Sequence, residues 1–147
     1  MKILIYNIDE GGFKTYSQYL FEGEKKQGFD ISYSDKMNYN KYDLVHIMFD
    51  YSVFHPFGLK VIPILMRLKL NGKKTVLTFG VVQPKAGIYA RNKLFTTIKK
   101  MVLPITHILI AMFTDKMIVM LPHLREILIK DYKINRKKIK VIAHGMF

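Results

Sequence analysis

Residues 115–147 read DKMIVMLPHLREILIKDYKINRKKIKVIAHGMF. Residues 116–120 form a short apolar run of strand type, and residues 122–132 read as a helix opened by Pro122. A proline at the first helical position loses no hydrogen bond, because that amide has no intrahelical partner anyway. A basic turn follows, and residues 139–142 form a second strand. Strand, helix and strand in this order are one unit of a parallel α/β sheet. The chain then reaches His144-Gly145, in a loop after a strand, the position such sheets use for ligands.

The same alternation extends back to the N-terminus. Residues 2–7 (KILIYN) suit a strand buried on both faces. After the loop Asp9-Glu10-Gly11-Gly12, Phe13, Tyr16 and Leu20 recur at helical spacing, which predicts a helix over 13–27 stopped by Gly28. Strands are expected over 29–34, 43–48 and 74–79. A helix opened by Pro56 or Pro63 should run to Leu70 and stop at Asn71-Gly72. Residues 80–87 form a loop, and residues 91–113 are mostly helical, with Pro104 expected to kink or split the helix.

One connection constrains the strand order. Residues 35–42 are about eight, too few for a helical crossover, which takes a dozen or more. Extended, they reach roughly 26 Å, enough to return along a strand and step past one neighbour. The expected order is therefore 2-1-3-4-5-6 with the switch point between strands one and three. The fold class is α/β: a single Rossmann-like, doubly wound parallel sheet of about six strands, with helices on both faces, over residues 1–147 as one domain.

Composition narrows the chemistry. Cysteine is absent, which excludes disulfides and thiolate metal sites and fits a reducing, cytoplasmic setting. No secretory signal is visible at the start. The longest apolar run, within residues 101–113, is about thirteen residues, short of the ~20 needed to span a bilayer. Charge is lopsided: residues 1–50 hold 6 Lys+Arg against 8 Asp+Glu, and residues 51–147 hold 18 against 3. Such asymmetry points to an anionic partner, whether nucleic acid, an acidic membrane surface or a phosphorylated substrate, or to solubilising lysines alone. Of the basic residues only 4 are Arg, which makes sequence-specific nucleic-acid readout the less favoured partner.

Four stretches carry candidate chemistry. Gly11-Gly12 lies between a strand and a helix, where backbone can approach a phosphate, although an ordinary tight turn has the same pattern. Asp9 and Glu10 beside it would repel a phosphate unless Lys14 offsets them. Asp50, Tyr51, Ser52 and His55 fall at a strand end as a hydroxyl-binding set, with Asp50 and His55 able to do acid/base work; a helix cap is the other reading of Asp50. Gln83 and Lys85 sit in the loop after the fourth strand, and His144 in that after the sixth. His46, mid-strand, reads as a core histidine. The five His (46, 55, 107, 123 and 144) lack metal-ligand spacing, so no metal site is assigned. Lys93, Lys99 and Lys100 alternate with Leu94, Phe95, Ile98, Met101, Val102 and Leu103. This pattern suits an anionic membrane surface, or a helix whose apolar side packs on the sheet with its Lys solvated, which is the expectation taken here.

The tail resembles the end of the N-terminal domain in family-4 (group 1) retaining glycosyltransferases of the GT-B fold. Their ADkviv strand corresponds to residues 115–119, their xxLkexLxxxygv helix to 124–132, and their closing KIxVIpHG strand to 138–145. KILIYN followed by Gly11-Gly12 is similar to that family's opening strand and glycine loop. YDLVHIMFDYSVF resembles its PDvVHxH strand, and GKKTVLTF its gkPvVxTxH strand. The likeness spans nearly the whole chain, with departures. Gly80 stands where the family usually has His, Met120-Leu121-Pro122 stand where Ser is common, and the 35–42 loop is shorter than usual.

The resemblance implies transfer of a sugar from a nucleotide sugar, a substrate rather than a cofactor, to a hydroxyl acceptor. Gly11 and Gly12 would lie along the donor phosphates, with Asp50 and His55 as catalytic candidates. Tyr51, Ser52, Gln83, Lys85 and His144 would line the acceptor side. The family's C-terminal donor domain, with its EX7E motif, has no counterpart in residues 1–147. The expectation is a domain boundary near Phe147, and an activity that needs a C-terminal-domain protein or a homo-oligomer. The location would be cytoplasmic and peripheral to the membrane. The alternative is a non-catalytic Rossmann-like module that binds an anionic partner; a flavodoxin-like regulatory domain ranks last.

Overall fold

The computed structural model describes residues 1–8, 11–88 and 91–143. Six strands, β1 (Lys2–Tyr6), β2 (Asp30–Ser34), β3 (Leu44–Phe49), β4 (Lys74–Phe79), β5 (Lys116–Val119) and β6 (Ile139–Val141), form one sheet. Its order is β2-β1-β3-β4-β5-β6, and every neighbouring pair is parallel. Both the strand order and the Rossmann-like class match the sequence reading. Four helices connect the strands: α1 (Gly12–Lys26), α2 (Val61–Leu70), α3 (Lys93–Phe113) and α4 (Pro122–Lys130).

Alternation along the strands divides the core in two. Leu4, Val45, Ile47, Phe49, Leu77, Phe79, Met117 and Val119 point to one face and pack with Val61, Leu65 and Leu68 of α2, Ile110 of α3 and Leu124 and Leu128 of α4. Ile3, Ile5, Ile31 and Met48 point to the other and pack with Phe13 of α1. Three helices thus cover one face and one covers the other. On the α1 side, the rows from His46 to Val76 and from Thr78 through Ile118 to Lys140 continue toward β6. There Val76 and Ile118 are only half-buried and Lys140 is exposed.

Two aspartates pin strand starts. Asp43 accepts the Lys2 N–H through Oδ2 at 2.7 Å, and Asp115 accepts the Thr75 N–H through Oδ2 at 2.8 Å. His46 is buried, with Nε2 2.7 Å from Thr78 Oγ1, as expected of a core histidine.

Three expectations need correction. Neither Pro56 nor Pro63 opens α2: it begins at Val61, with Pro63 in its first turn, where no amide donor is missed. Of the two outcomes expected at Pro104, the split does not occur: α3 is a single helix of 21 residues. Lys100, whose carbonyl loses its donor, is exposed, so water can satisfy it. The apolar run of about thirteen residues lies within this longer helix, which by length and composition is enough to cross a bilayer. Nor does the apolar side of α3 simply pack on the sheet. Leu103, Thr106, His107 and Ile110 are buried, but Leu94, Phe95, Ile98 and Met101 are exposed.

Candidate functional site

Successive connections leave β1 and β3 toward opposite faces of the sheet, and a crevice opens at the carboxyl ends of the strands between them. Gly12, Phe13, Tyr16, Asp50, Gly80, Val81 and Met120 line a cleft of about 300 Å³ there. The two glycines in it differ in kind. A Cβ built on Gly12 meets nothing within 4 Å, so the protein's own packing does not require glycine there. A Cβ on Gly80 would stand 2.6 Å from Cζ of Phe13. Gly80 therefore leaves room for the Phe13 ring to pack across the strand end. The first turn of α1 has no acidic residue, so the positive end of the helix dipole adds attraction for an anion beside Gly12, against the carboxylate of Asp50 in the same cleft.

Asp50 follows directly on β3 and caps a turn, not a helix. Its Oδ1 accepts the Ser52 N–H at 2.8 Å and the Ser52 hydroxyl at 2.5 Å. The Ser52 hydroxyl is thereby engaged by the protein itself, while Asp50 still borders the cleft.

Tyr51 turns inward. Its hydroxyl lies 2.7 Å from Nε2 of His107, and Nδ1 of His107 lies 2.7 Å from the Leu103 carbonyl. A carbonyl only accepts, so Nδ1 carries the proton and the Tyr51 hydroxyl donates to Nε2. Burial holds His107 neutral, lowering it to about 4, and pushes the Tyr51 phenol well above its ordinary range. The Tyr51 oxygen accepts the Gln83 N–H at 3.4 Å, and the Tyr132 hydroxyl donates to the Gln83 carbonyl. The Tyr132 phenol is likewise pushed up to about 12, first by burial and then by the charge of Asp131. The His107 ring stacks on Tyr132 at 4.0 Å and 11°. Tyr51 and the Gln83 backbone thus tie the loops after β3 and β4 to α3.

A second hollow, of about 240 Å³, is bordered by Tyr51, Ser52, His55, Phe57, Gln83, Phe95, Lys99 and Leu103. The candidates expected from sequence therefore divide. Gly12 and Asp50 meet in the first cleft; Tyr51, Ser52, His55 and Gln83 meet in the second. Gly11 lies at the N-terminal boundary of α1, just before Gly12. Lys85 borders neither hollow: its N–H donates to Oδ2 of Asp131 at 2.9 Å, and its ammonium sits 5.9 Å over the Tyr132 ring. His144, Gly145, Asp9 and Glu10 lie outside the described residues. No group of three His, Asp or Glu that could hold a metal occurs among the described residues.

Sequence reasoning missed Lys99 as a lining residue and His107 as the center of the inner network. Lys99, Leu103 and His107 stand four residues apart, one stripe of a helix, and that spacing was the available signal. A scan of the chain against protein-family models finds no match, and a search of curated proteins finds none.

Proposed function

We propose that this domain is the acceptor-side half of a GT-B glycosyltransferase, moving a sugar from a nucleotide sugar to a hydroxyl. The observation that carries the reading is the cleft at the switch point, where the open flank of Gly12 shares one wall with Asp50. The resemblance of residues 115–145 to the closing strand–helix–strand of that family supports it. In this reading the donor diphosphate lies along Gly11-Gly12 at the start of α1. Asp50 receives the acceptor hydroxyl through Oδ2, because Oδ1 is held by Ser52. His55 and Lys99 hold the body of the acceptor in the second hollow. Tyr51 is a positioning residue, since its hydroxyl is bonded to His107. The remaining donor contacts belong to a second Rossmann-like domain.

The test is direct. Nucleotide sugars carrying different bases are titrated into the protein, alone and mixed with candidate C-terminal-domain proteins, and transfer to hydroxyl acceptors is followed with labelled sugar. Gly12→Val should abolish donor binding by filling the open flank, and Asp50→Asn should lower transfer by about 10²-fold or more. Absence of binding, complex and transfer across the whole panel overturns the proposal.

A further inference from the structure

We propose that α3 seats this domain on an anionic lipid surface, lying in the interface rather than crossing it. Leu94, Ile98, Met101, Ile105, Ile108 and Met112 are all exposed, Leu94 by 68% and Met101 by 66%. They recur at alternating spacings of four and three, which draws one straight apolar stripe along the whole helix. The opposite side, with Leu103, Thr106, His107 and Ile110, is buried against the domain. Lipid therefore cannot surround the helix, and its length does not make it a span. A helix with one side committed to protein and the other apolar is built to lie flat.

Charge selects the occupant. From Tyr51 to Thr114 there is no Asp or Glu, while Lys and Arg number 10. Lys93 and Lys100 are exposed in the first half of α3. At its far end Lys69 of α2 donates to the Met112 carbonyl at 3.1 Å. Cations thus stand at both ends of the stripe, where phospholipid headgroups would meet them.

A second copy of the chain fits less well. The positions flanking the stripe are Phe95, Val102 and Leu109 on one side and Thr97, Pro104 and Ala111 on the other, with no carboxylate to pair the partner's lysines. Two such chains, each at formal net charge +13, would repel. Nucleic acid would answer the charge but leave six apolar side chains in water.

Docking has a consequence for the second hollow. Phe95 and Lys99, which border it, follow directly on Leu94 and Ile98 of the stripe. A seated α3 brings that hollow to headgroup level.

The 147-residue chain is mixed with phosphatidylcholine vesicles with and without phosphatidylglycerol, and co-sedimentation is measured at low and high salt. Binding to the anionic vesicles, weakened by salt, and little binding to phosphatidylcholine alone are expected. Replacing two stripe residues, Ile98→Ser with Ile105→Ser, should reduce partitioning roughly tenfold or more. Lys93→Ser with Lys100→Ser should reduce it at low salt. All four positions are exposed, and circular dichroism checks that the fold persists. No binding to anionic vesicles at low salt overturns the proposal. So do equal binding to both vesicle types, and serine variants of the stripe that bind as wild type, since charge alone would then be at work. Light scattering that shows a dimer made monomeric by the stripe variant gives the face to a second copy instead. Vesicle binding is read without a sugar donor, so its failure leaves the transfer proposal standing.

Discussion

Among the described residues, His46 and His107 are the imidazoles that folding removes from water. Burial lowers both from an ordinary value of 6.5 to about 4. The unfolded chain therefore binds more protons than the folded one between those limits. Stability fully present above pH 6.5 is lost as pH falls toward 4, by up to about 3 kcal/mol for each imidazole. Urea midpoints measured from neutral pH downward should show this fall, and His46→Gln with His107→Gln should flatten it. An unchanged slope in that double variant would assign the fall to carboxylates. At this scale the site was only partly legible. Asp50, Tyr51, Ser52 and His55 are neighbours along the chain, and the sequence presents them as one set. The turn closed by Asp50 and Ser52 sends consecutive side chains different ways. Tyr51 goes inward to His107, a partner 56 residues away that no local pattern could reveal.

The starts of β1 and β4 are each held by an aspartate carboxylate. Asp115 accepts both the N–H and the hydroxyl of Thr75 through one oxygen, at 2.8 and 3.2 Å, and Thr75 is buried. Asp115→Ala leaves that amide without its side-chain acceptor and should cost about 1–3 kcal/mol in urea unfolding. Asp115→Asn, which keeps an acceptor oxygen, should recover part of the loss; equal losses would show that the carboxylate charge matters more than the hydrogen bond. Elements were the most legible scale. Strand and helix positions followed from apolar periodicity and from Gly and Pro, and the order followed from the short 35–42 connection. The outer face of α3 did not follow, for a physical reason. The helix is apolar on two sides, and periodicity alone cannot say which side meets the sheet.

The whole molecule is unevenly supported. β3 and β4 sit mid-sheet with strand neighbours on both sides, whereas β6 pairs only with β5. Over β4 to β6 the α1-side face is half-open at Val76 and Ile118 and exposed at Lys140. A parallel sheet is ordinarily covered on both faces, so this end is less buried than the center. The first turns of α3 are also lightly packed, with Lys93, Leu94, Phe95, Thr97 and Ile98 exposed. Opening free energies should therefore be graded across the sheet rather than uniform. Native-state hydrogen exchange should find the amides of β1, β3 and β4 slowest. Those of β6 and of residues 93–101 should exchange faster by about two orders of magnitude or more, since each 1.4 kcal/mol of lost local stability is tenfold. Under the two proposals, a donor domain would slow β6 only if it also covered the open face, and anionic vesicles would slow residues 93–101 selectively. On those proposals the two partners would act on separate segments of one exchange map. Uniform protection in the isolated chain would show that the open face and the lightly packed start of α3 carry no deficit, and would remove this reason for expecting either partner.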